Sequence, residues 1–397
     1  MKRLLNLLFW SVIAAAFIGP GTITTAARAG SDFGFALAWA LLFSTIACLV
    51  LQEASARITV VTGKELGEAI LSRFSDSSRI RWAPMLLAGG VILGCAAYEA
   101  GNLAGGVAGM RLVVDAPPAL LILGCAAMAA LLLATGNTRW IARTLGVLVA
   151  VMGVAFVITA LRLAPNAAAL LSGLLVPRIP AGSTLLVLGL VGTTVVPYNL
   201  FLGSALAREN DLGEMRWGLA VAVGGGGLIS LAVLVVGTAL GGGLEFEKLA
   251  EVLALKLGGG AKFSFAAGLF AAGFTSAITA PLAAAITART LLGQKWAEDS
   301  ARYRVVWSGV LLAGAFFGMT GIKPIAIILL AQAFNGLILP LIAVFLWITM
   351  NDRALLGNDG VNTFFQNLVM GFVVLICASL GLRGLVAAVA GGIRMLG

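Results

Sequence analysis

The sequence predicts an all-α polytopic membrane protein with about eleven transmembrane helices. Of its 397 residues, 60% are hydrophobic and 11% are charged, whereas a soluble domain carries about a quarter charged residues. The hydrophobic residues form unbroken runs of about the 20 residues that a helix needs to cross a bilayer. Membrane β-strands would instead alternate polar and apolar residues. This composition excludes a water-soluble enzyme, and no enzymatic activity is expected.

Eleven apolar windows follow one another along the chain, separated by charged residues or by Pro and Gly. They predict membrane spans at 6–30, 33–56, 84–110, 117–136, 142–163, 184–207, 217–240, 263–290, 305–320, 324–349 and 362–382. The loops between them are too short for an extramembrane domain. The sequence therefore predicts a single transmembrane domain over residues 1–397, with its function inside the helix bundle.

The first window follows Met1-Lys2-Arg3, a start that resembles a secretory signal peptide. No small-residue cleavage site followed by a soluble domain comes after it, so we interpret it as a retained first helix. If alternate loops lie on opposite sides, sixteen of the 26 Lys and Arg residues share the side of the N-terminus. The positive-inside rule then predicts a cytoplasmic N-terminus in the cell inner (plasma) membrane.

Two windows are interrupted in the middle, the first by Gly19-Pro20-Gly21 and the sixth by Val196-Pro197-Tyr198-Asn199. Proline removes a helical hydrogen bond, and glycine adds backbone freedom. Unwound backbone at membrane depth is tolerated only where it is buried in protein or lines a cavity. Single kinks are common in membrane helices, but breaks five helices apart are typical of an inverted-repeat transporter with its site at the midplane. We expect one repeat over about 6–163, a second over about 184–349 and an extra helix at about 362–382.

Around these breaks the sequence resembles the NRAMP (natural resistance-associated macrophage protein) family of proton-coupled divalent-metal transporters. Gly19-Pro20-Gly21-Thr22 stands where that family has Asp-Pro-Gly-Asn, and Val196-Pro197-Tyr198-Asn199 stands where it has Met-Pro-His-Asn. Further similarity covers Leu269 to Thr279, Leu330-Ala331-Gln332 and Asn351-Asp352-Arg353. The resemblance implies the LeuT-type fold, a 5+5 inverted repeat with helices 1 and 6 broken at the binding site.

The chain departs from the family at the residues that hold the metal ion. In the family, the Asp and Asn of the first motif and the Met of the second bind it; here they are Gly19, Thr22 and Val196. A desolvated divalent cation needs anionic or several strong oxygen ligands, and a thioether favours transition metals. We therefore expect an outlying branch with a non-metal substrate. Proton-coupled transport of Mn²⁺ or Mg²⁺ is the alternative.

The groups that remain favour a small anion. Hydroxyl and amide side chains surround the breaks, and the second half of each broken helix begins there with N–H groups and a positive dipole end. Arg28 either adds positive potential or only extends to the interface. The expected function is secondary transport of a small oxyanion such as bicarbonate, coupled to Na⁺ or H⁺. A channel or a non-transporting sensor is a further alternative. The expected substrate-binding residues are Gly19, Gly21, Thr22, Thr25, Thr193, Val196, Tyr198, Asn199 and Gln332.

Four residues are candidates for binding the coupling ion. Glu99 stands where the family has the first acid of a paired-acid proton route, and Asn102 replaces the second. An intramembrane Glu is costly and is a functional candidate unless a Lys or Arg pairs with it. Thr275 and Ser276 resemble the hydroxyl pair that holds sodium in many LeuT-type carriers, or they bond their own helix backbone. No cofactor is expected beyond such a bound Na⁺.

Other chemistry is excluded by what the sequence lacks. The chain contains no His, so imidazole metal ligation and a His proton relay are impossible. The Gly224–Gly227 run lies in an apolar window without the Lys-Ser/Thr of a phosphate loop, and we interpret it as close helix packing. The expected partners are a small inorganic ion and the lipid bilayer, with no nucleic acid and no nucleotide.

Overall fold

The computed structural model describes residues 18–74, 82–135 and 139–396, which fold into α-helices with short connections and without strands. In chain order, the helices are α1 Pro20–Phe33, α2 Ala38–Thr62, α3 Leu66–Phe74, α4 Ala83–Arg111, α5 Pro118–Thr135, α6 Arg139–Arg162, α7 Ala167–Leu175, α8 Thr184–Thr194, α9 Pro197–Leu206, α10 Leu212–Gly237, α11 Phe246–Leu257, α12 Gly260–Leu292, α13 Ala301–Gly318, α14 Pro324–Met350, α15 Arg353–Gly360 and α16 Phe364–Leu396.

Eight stretches of the described chain are long and apolar enough to cross a membrane. They are Ala38–Thr62, Ala83–Arg111, Pro118–Thr135, Thr184–Leu206, Leu212–Leu240, Gly260–Leu292, Pro324–Met350 and Phe364–Val386. Gly146–Arg162 is apolar but shorter. Each of these nine overlaps one of the windows predicted from the sequence. The prediction of an all-helical polytopic membrane protein is therefore confirmed.

Two of the eleven predicted spans are not among these stretches. Residues 6–17 of the first window lie outside the described part of the chain, and α1 alone has 14 residues, a length of about 21 Å. The window at 305–320 corresponds to α13, whose first turn carries the charged residues Arg302 and Arg304. The total of eleven spans stays a prediction.

The structure shows the second predicted break in full and, at the first, the non-helical residue before α1. Gly19 is extended, with φ −91° and ψ 177°, and α1 begins at the next residue, Pro20. Val195 and Val196 have ψ angles of 75° and 121°, outside the helical range, and α9 begins at Pro197. Proline suits the first position of a helix, where its missing N–H would have no helical partner. Pro20 thus begins α1, and Pro197 restarts a helix after the break at Val195 and Val196.

Glycine permits a close helix contact in the core, where α4 and α12 cross. A Cβ added at Gly273 would overlap the backbone of Gly106 on α4. Of Gly224, Gly225 and Gly227, only Gly227 has a close neighbour, because a Cβ there would lie 2.6 Å from Thr45 Oγ1. Gly224 and Gly225 have open space beside them and are exposed. Close packing of the whole run was therefore a wrong prediction, because these two glycines point away from the bundle.

The extra helix α16 is attached to the bundle by a buried arginine on α2. Arg57 is 3% exposed. Its Nη1 donates a hydrogen bond to the Gly360 carbonyl at 3.2 Å, and its Nη2 donates to Asn362 Oδ1 at 2.5 Å. These bonds hold the connection between α15 and α16 against the side of α2.

Four short helices, α3, α7, α11 and α15, connect the longer ones and were not among the predicted elements. Two of them carry a recognisable start signal. Asn166 accepts a hydrogen bond from the Ala169 amide at the start of α7, and Asp352 accepts from the Ala354 amide at the start of α15. Asn and Asp are favoured at this position because they satisfy amides that have no helical partner.

Candidate functional site

The start of α1 lies against the end of α8, so the two breaks form one region. The hydroxyl oxygens of Thr22 on α1 and Thr193 on α8 are 3.3 Å apart. Gly21 lies so close to the Gln332 amide of α14 that a Cβ on Gly21 would overlap it. All four residues are buried. Three helices thus bring four of the predicted substrate-binding residues together.

Helix α12 closes another side of this region. A Cβ added at Gly19 would lie 3.3 Å from Ser276 Oγ, and this buried hydroxyl has no hydrogen-bond partner. The neighbouring Thr275 donates to the Ala271 carbonyl of its own helix at 2.6 Å. The structure therefore favours the alternative in which Thr275 bonds its own backbone. Of the proposed hydroxyl pair, Ser276 is the member that faces the break.

Two predicted substrate-binding residues are placed less favourably for a direct contact. The Thr25 hydroxyl donates to the Gly21 carbonyl at 2.8 Å, so it is already used within α1. Val196 is buried in the non-helical segment before α9 and offers only an apolar side chain. Its backbone carbonyl accepts from the Asn199 amide at 3.0 Å. A direct role for these two side chains stays a prediction.

Tyr98 on α4 is a candidate site residue that the sequence analysis did not name. Its ring packs edge-to-face on Tyr198, with the ring centroids 5.6 Å apart and an angle of 84° between the planes. Its hydroxyl reaches the side chains of Thr193 and Gln332. One indication of this role was available in the sequence, because Tyr98 directly precedes Glu99 within a predicted membrane span.

Several buried polar atoms around the breaks have no hydrogen-bond partner. They are Thr24 Oγ1, Glu99 Oε1, Tyr198 OH, Asn199 Oδ1 and Nδ2, Ser276 Oγ, Gln332 Oε1 and Asn335 Nδ2. Buried polar groups in proteins are nearly always satisfied, because an unpaired one costs about 1–3 kcal/mol. Their concentration on α1, α4, α9, α12 and α14 identifies a place suited to a polar ligand. Most of them are oxygen atoms.

Glu99 is fully buried on α4, directly after Tyr98 in the sequence. Its Oε2 accepts a hydrogen bond from Asn102 Nδ2 at 3.3 Å, and its side chain packs on Gly314 of α13. No ion pair found in the described part of the chain includes Glu99. Within the described residues, the structure therefore does not support the alternative in which a Lys or Arg neutralises Glu99.

The helix ends at the breaks are less suited to an anion than the sequence suggested. Pro20 and Pro197 occupy the first positions of α1 and α9 and carry no N–H. The Asn199 amide is taken by the Val196 carbonyl, and Arg28 is paired with Asp32. The end of α8, by contrast, directs backbone carbonyls and the negative end of its dipole towards the break.

The metal ligands most common in proteins are not clustered here. Within residues 18–74, 82–135 and 139–396, no group of three or more His, Cys, Asp or Glu side chains could hold a metal ion. A cation bound at the breaks would therefore depend on hydroxyl, amide and backbone oxygens, with Glu99 as the nearby carboxylate.

Comparison with known proteins assigns the fold and the family. Residues 11–387 match the model of the "natural resistance-associated macrophage protein-like" family. A divalent metal cation transporter MntH of Klebsiella pneumoniae is 25% identical over 389 residues, covering 93% of this chain and 91% of its own. That of Verminephrobacter eiseniae is 28% identical over 366 residues, covering 87% and 81%.

Solved structures agree on the architecture. A mutant of the Eremococcus coleocola manganese transporter superposes with a TM-score of 0.79 at 20% identity, covering 98% of this chain and 88% of that one. Mhp1, a nucleobase-cation-symport-1 family transporter, superposes with a TM-score of 0.59 at 14% identity, covering 96% and 91%. These superpositions cover nearly the whole chain and confirm the LeuT-type fold. With the family match spanning nearly the whole chain, this protein belongs to the natural resistance-associated macrophage protein-like family of membrane transporters.

Proposed function

We propose that this protein is a secondary active transporter of a divalent metal cation, bound where the breaks before α1 and α9 meet. The relatives named above are divalent metal cation transporters, and this chain matches them over most of their length. They support the metal alternative better than the bicarbonate expected from the motif. We further propose that the protein lies in the cell inner membrane with its N-terminus in the cytoplasm.

The observation that carries the proposal is the cluster of unpartnered oxygens at the breaks. Tyr198, Asn199, Ser276 and Gln332 each bury an oxygen without a partner, and the end of α8 adds backbone carbonyls. Neutral oxygens suit a hard cation that keeps part of its water shell, as Mg²⁺ commonly does. With Val196 in place of a thioether, the site lacks the soft ligand that favours transition metals. We therefore expect Mg²⁺ to bind at least as well as Mn²⁺.

Glu99 is proposed to carry the proton that drives transport. It is a fully buried carboxylate on α4, directly after Tyr98, and its Oε1 has no partner. An ionisable group at this depth is costly unless it has a function. Ser276 could instead contribute to a Na⁺ site, with Thr275 held back by its own helix.

Uptake into proteoliposomes tests the proposal. The wild-type protein should take up Mg²⁺ or Mn²⁺ with saturation, and Tyr198→Phe should lower the apparent affinity about tenfold through loss of one oxygen ligand. Thr349→Val is the matched control, because that buried hydroxyl bonds the Phe345 carbonyl of its own helix. Equal effects of both variants, or no metal uptake under a proton or sodium gradient, would refute it.

A small oxyanion such as bicarbonate is the second candidate. One observation favours it: Gly19, Thr22 and Val196 replace the acid, amide and thioether of the family motif, so the three motif positions carry no charge. Labelled bicarbonate in the same vesicles separates the candidates. Bicarbonate uptake that is indifferent to both metals would support the anion.

A further inference from the structure

A groove on the side of the bundle lies between α2, α10 and α16, away from the helix breaks. It has a volume of about 320 Å³. Its walls are mainly apolar and include Leu49, Val50, Leu219, Phe365, Val369 and Met370. Phe365 is 70% exposed, so the groove opens on the outer surface of the membrane-spanning helices.

One end of the groove is charged. Arg216 of α10 donates to Glu53 Oε1 through Nε at 2.9 Å and through Nη2 at 2.8 Å. Arg57 places its Nε 3.4 Å from Glu53 Oε2, and this buried nitrogen makes no hydrogen bond. Two guanidinium groups thus face one carboxylate, which leaves a net positive charge. The Arg216 side chain is half exposed and can reach a further ligand.

The charged and apolar parts lie at different depths. Arg216 is in the second turn of α10, close to the end of that span. Leu49 lies eight residues before Arg57 on α2, which places it about 12 Å closer to the middle of the helix. The polar end therefore lies near the membrane boundary, and the apolar walls run towards the bilayer centre. This is the order of headgroup and acyl chain in a lipid leaflet.

We propose that this groove binds an anionic phospholipid, with an acyl chain along the apolar walls and its phosphate at Arg216. Apolar walls at this depth have acyl chains as their natural contact, and burying them contributes to binding. Basic pockets between transmembrane helices select anionic headgroups. The bound lipid would bridge α10 of the transport bundle and the extra helix α16. The site is separate from the ion site at the breaks.

Native mass spectrometry of the full-length protein tests the charged end. Phosphatidylglycerol should bind more tightly than phosphatidylcholine with the same acyl chains. Arg216→Gln should weaken phosphatidylglycerol binding about fivefold, the effect of one Arg on an anionic lipid, and should weaken phosphatidylcholine binding less, because that headgroup has no net charge. Arg304→Gln, on the exposed part of α13, is the matched control and should keep the preference. An unchanged preference in Arg216→Gln, or an equal loss in both variants, would overturn the proposal.

A second pair of measurements tests the apolar walls. Val369→Trp should fill the groove and abolish the tight phosphatidylglycerol binding, and Leu49→Phe should do the same if the first variant does not fold. Competition with inorganic phosphate distinguishes a lipid from a free anion, since phosphate lacks the acyl chain and should not displace the lipid. Wild-type binding by a folded filling variant would overturn the proposal, as would full displacement by phosphate.

Discussion

Gly19 is the residue at which this chain differs most in charge from the motif it resembles. Its backbone is extended at φ −91°, a conformation open to any residue, and a Cβ there would point at Ser276. We expect Gly19→Asp to raise Mg²⁺ and Mn²⁺ affinity at least tenfold, about 1.4 kcal/mol, because a carboxylate joins a set of neutral ligands. Isothermal titration calorimetry measures the change in metal affinity.

The control for this substitution is Gly19→Ala, which adds the Cβ without charge. It should leave metal affinity nearly unchanged, because a methyl group supplies no ligand. Weaker metal binding in Gly19→Asp than in Gly19→Ala would show that the site does not accept a cation. That result would favour the oxyanion.

Glu99 is the residue on which proton coupling depends in the proposed mechanism. Glu99→Gln keeps the shape and the contact with Asn102 but removes the titratable group. Metal uptake in vesicles should then no longer respond to an imposed proton gradient, while binding without a gradient persists. Thr349→Val, whose hydroxyl bonds its own helix, is the control and should retain the response. A gradient response of wild-type size in Glu99→Gln would contradict the assignment.

At the scale of elements, the attachment of α16 depends on one side chain. Arg57→Gln would leave the carbonyl of Gly360 and the amide of Asn362 without their buried donor. We expect a loss of about 3–5 kcal/mol in stability, as for other broken buried ionic networks. Arg216→Gln removes an exposed partner of the same Glu53 and should cost less than about 1 kcal/mol. Thermal unfolding in detergent compares them, and similar midpoints would contradict the role of Arg57.

The crossing of α4 and α12 is the second element-scale prediction. Gly273→Leu forces a side chain into the backbone of Gly106 and should destabilise the fold by about 1–3 kcal/mol or more. Gly224→Leu, where the chain has open space, should have little effect. The yield of monodisperse protein on size-exclusion chromatography separates the two, and equal yields would show that the contact is not required.

The helices and their breaks were predictable because bilayer thickness and proline geometry act locally on the sequence. Short connecting helices such as α3 and α11 were not, since their length gives too few residues for a periodic pattern. In the candidate site, Thr22 was predicted from its motif position and Thr193 from its place before the second break, and the structure brings their hydroxyls together. The role of Tyr98 was not predicted, because its contact with Tyr198 depends on how α4 packs against α9.

The fate of individual hydroxyl groups also depended on three-dimensional packing. Thr275 and Ser276 are adjacent in the sequence, yet one bonds its own helix and the other faces Gly19. Likewise, both broken helices begin with Pro, so their positive ends carry fewer donors than the dipole alone suggests. These details agree with the named relatives in favouring a cation over the anion that the altered motif suggested.

The whole molecule combines a family fold with a neutral donor set at its centre. Transport of a divalent cation through such a site is the central claim, and parallel flux measurements test it most directly. Wild-type protein in proteoliposomes should accumulate Mg²⁺ or Mn²⁺ under an inward proton gradient, with uptake reduced in Tyr198→Phe and preserved in Thr349→Val. Accumulation of labelled bicarbonate without any metal flux would contradict the claim.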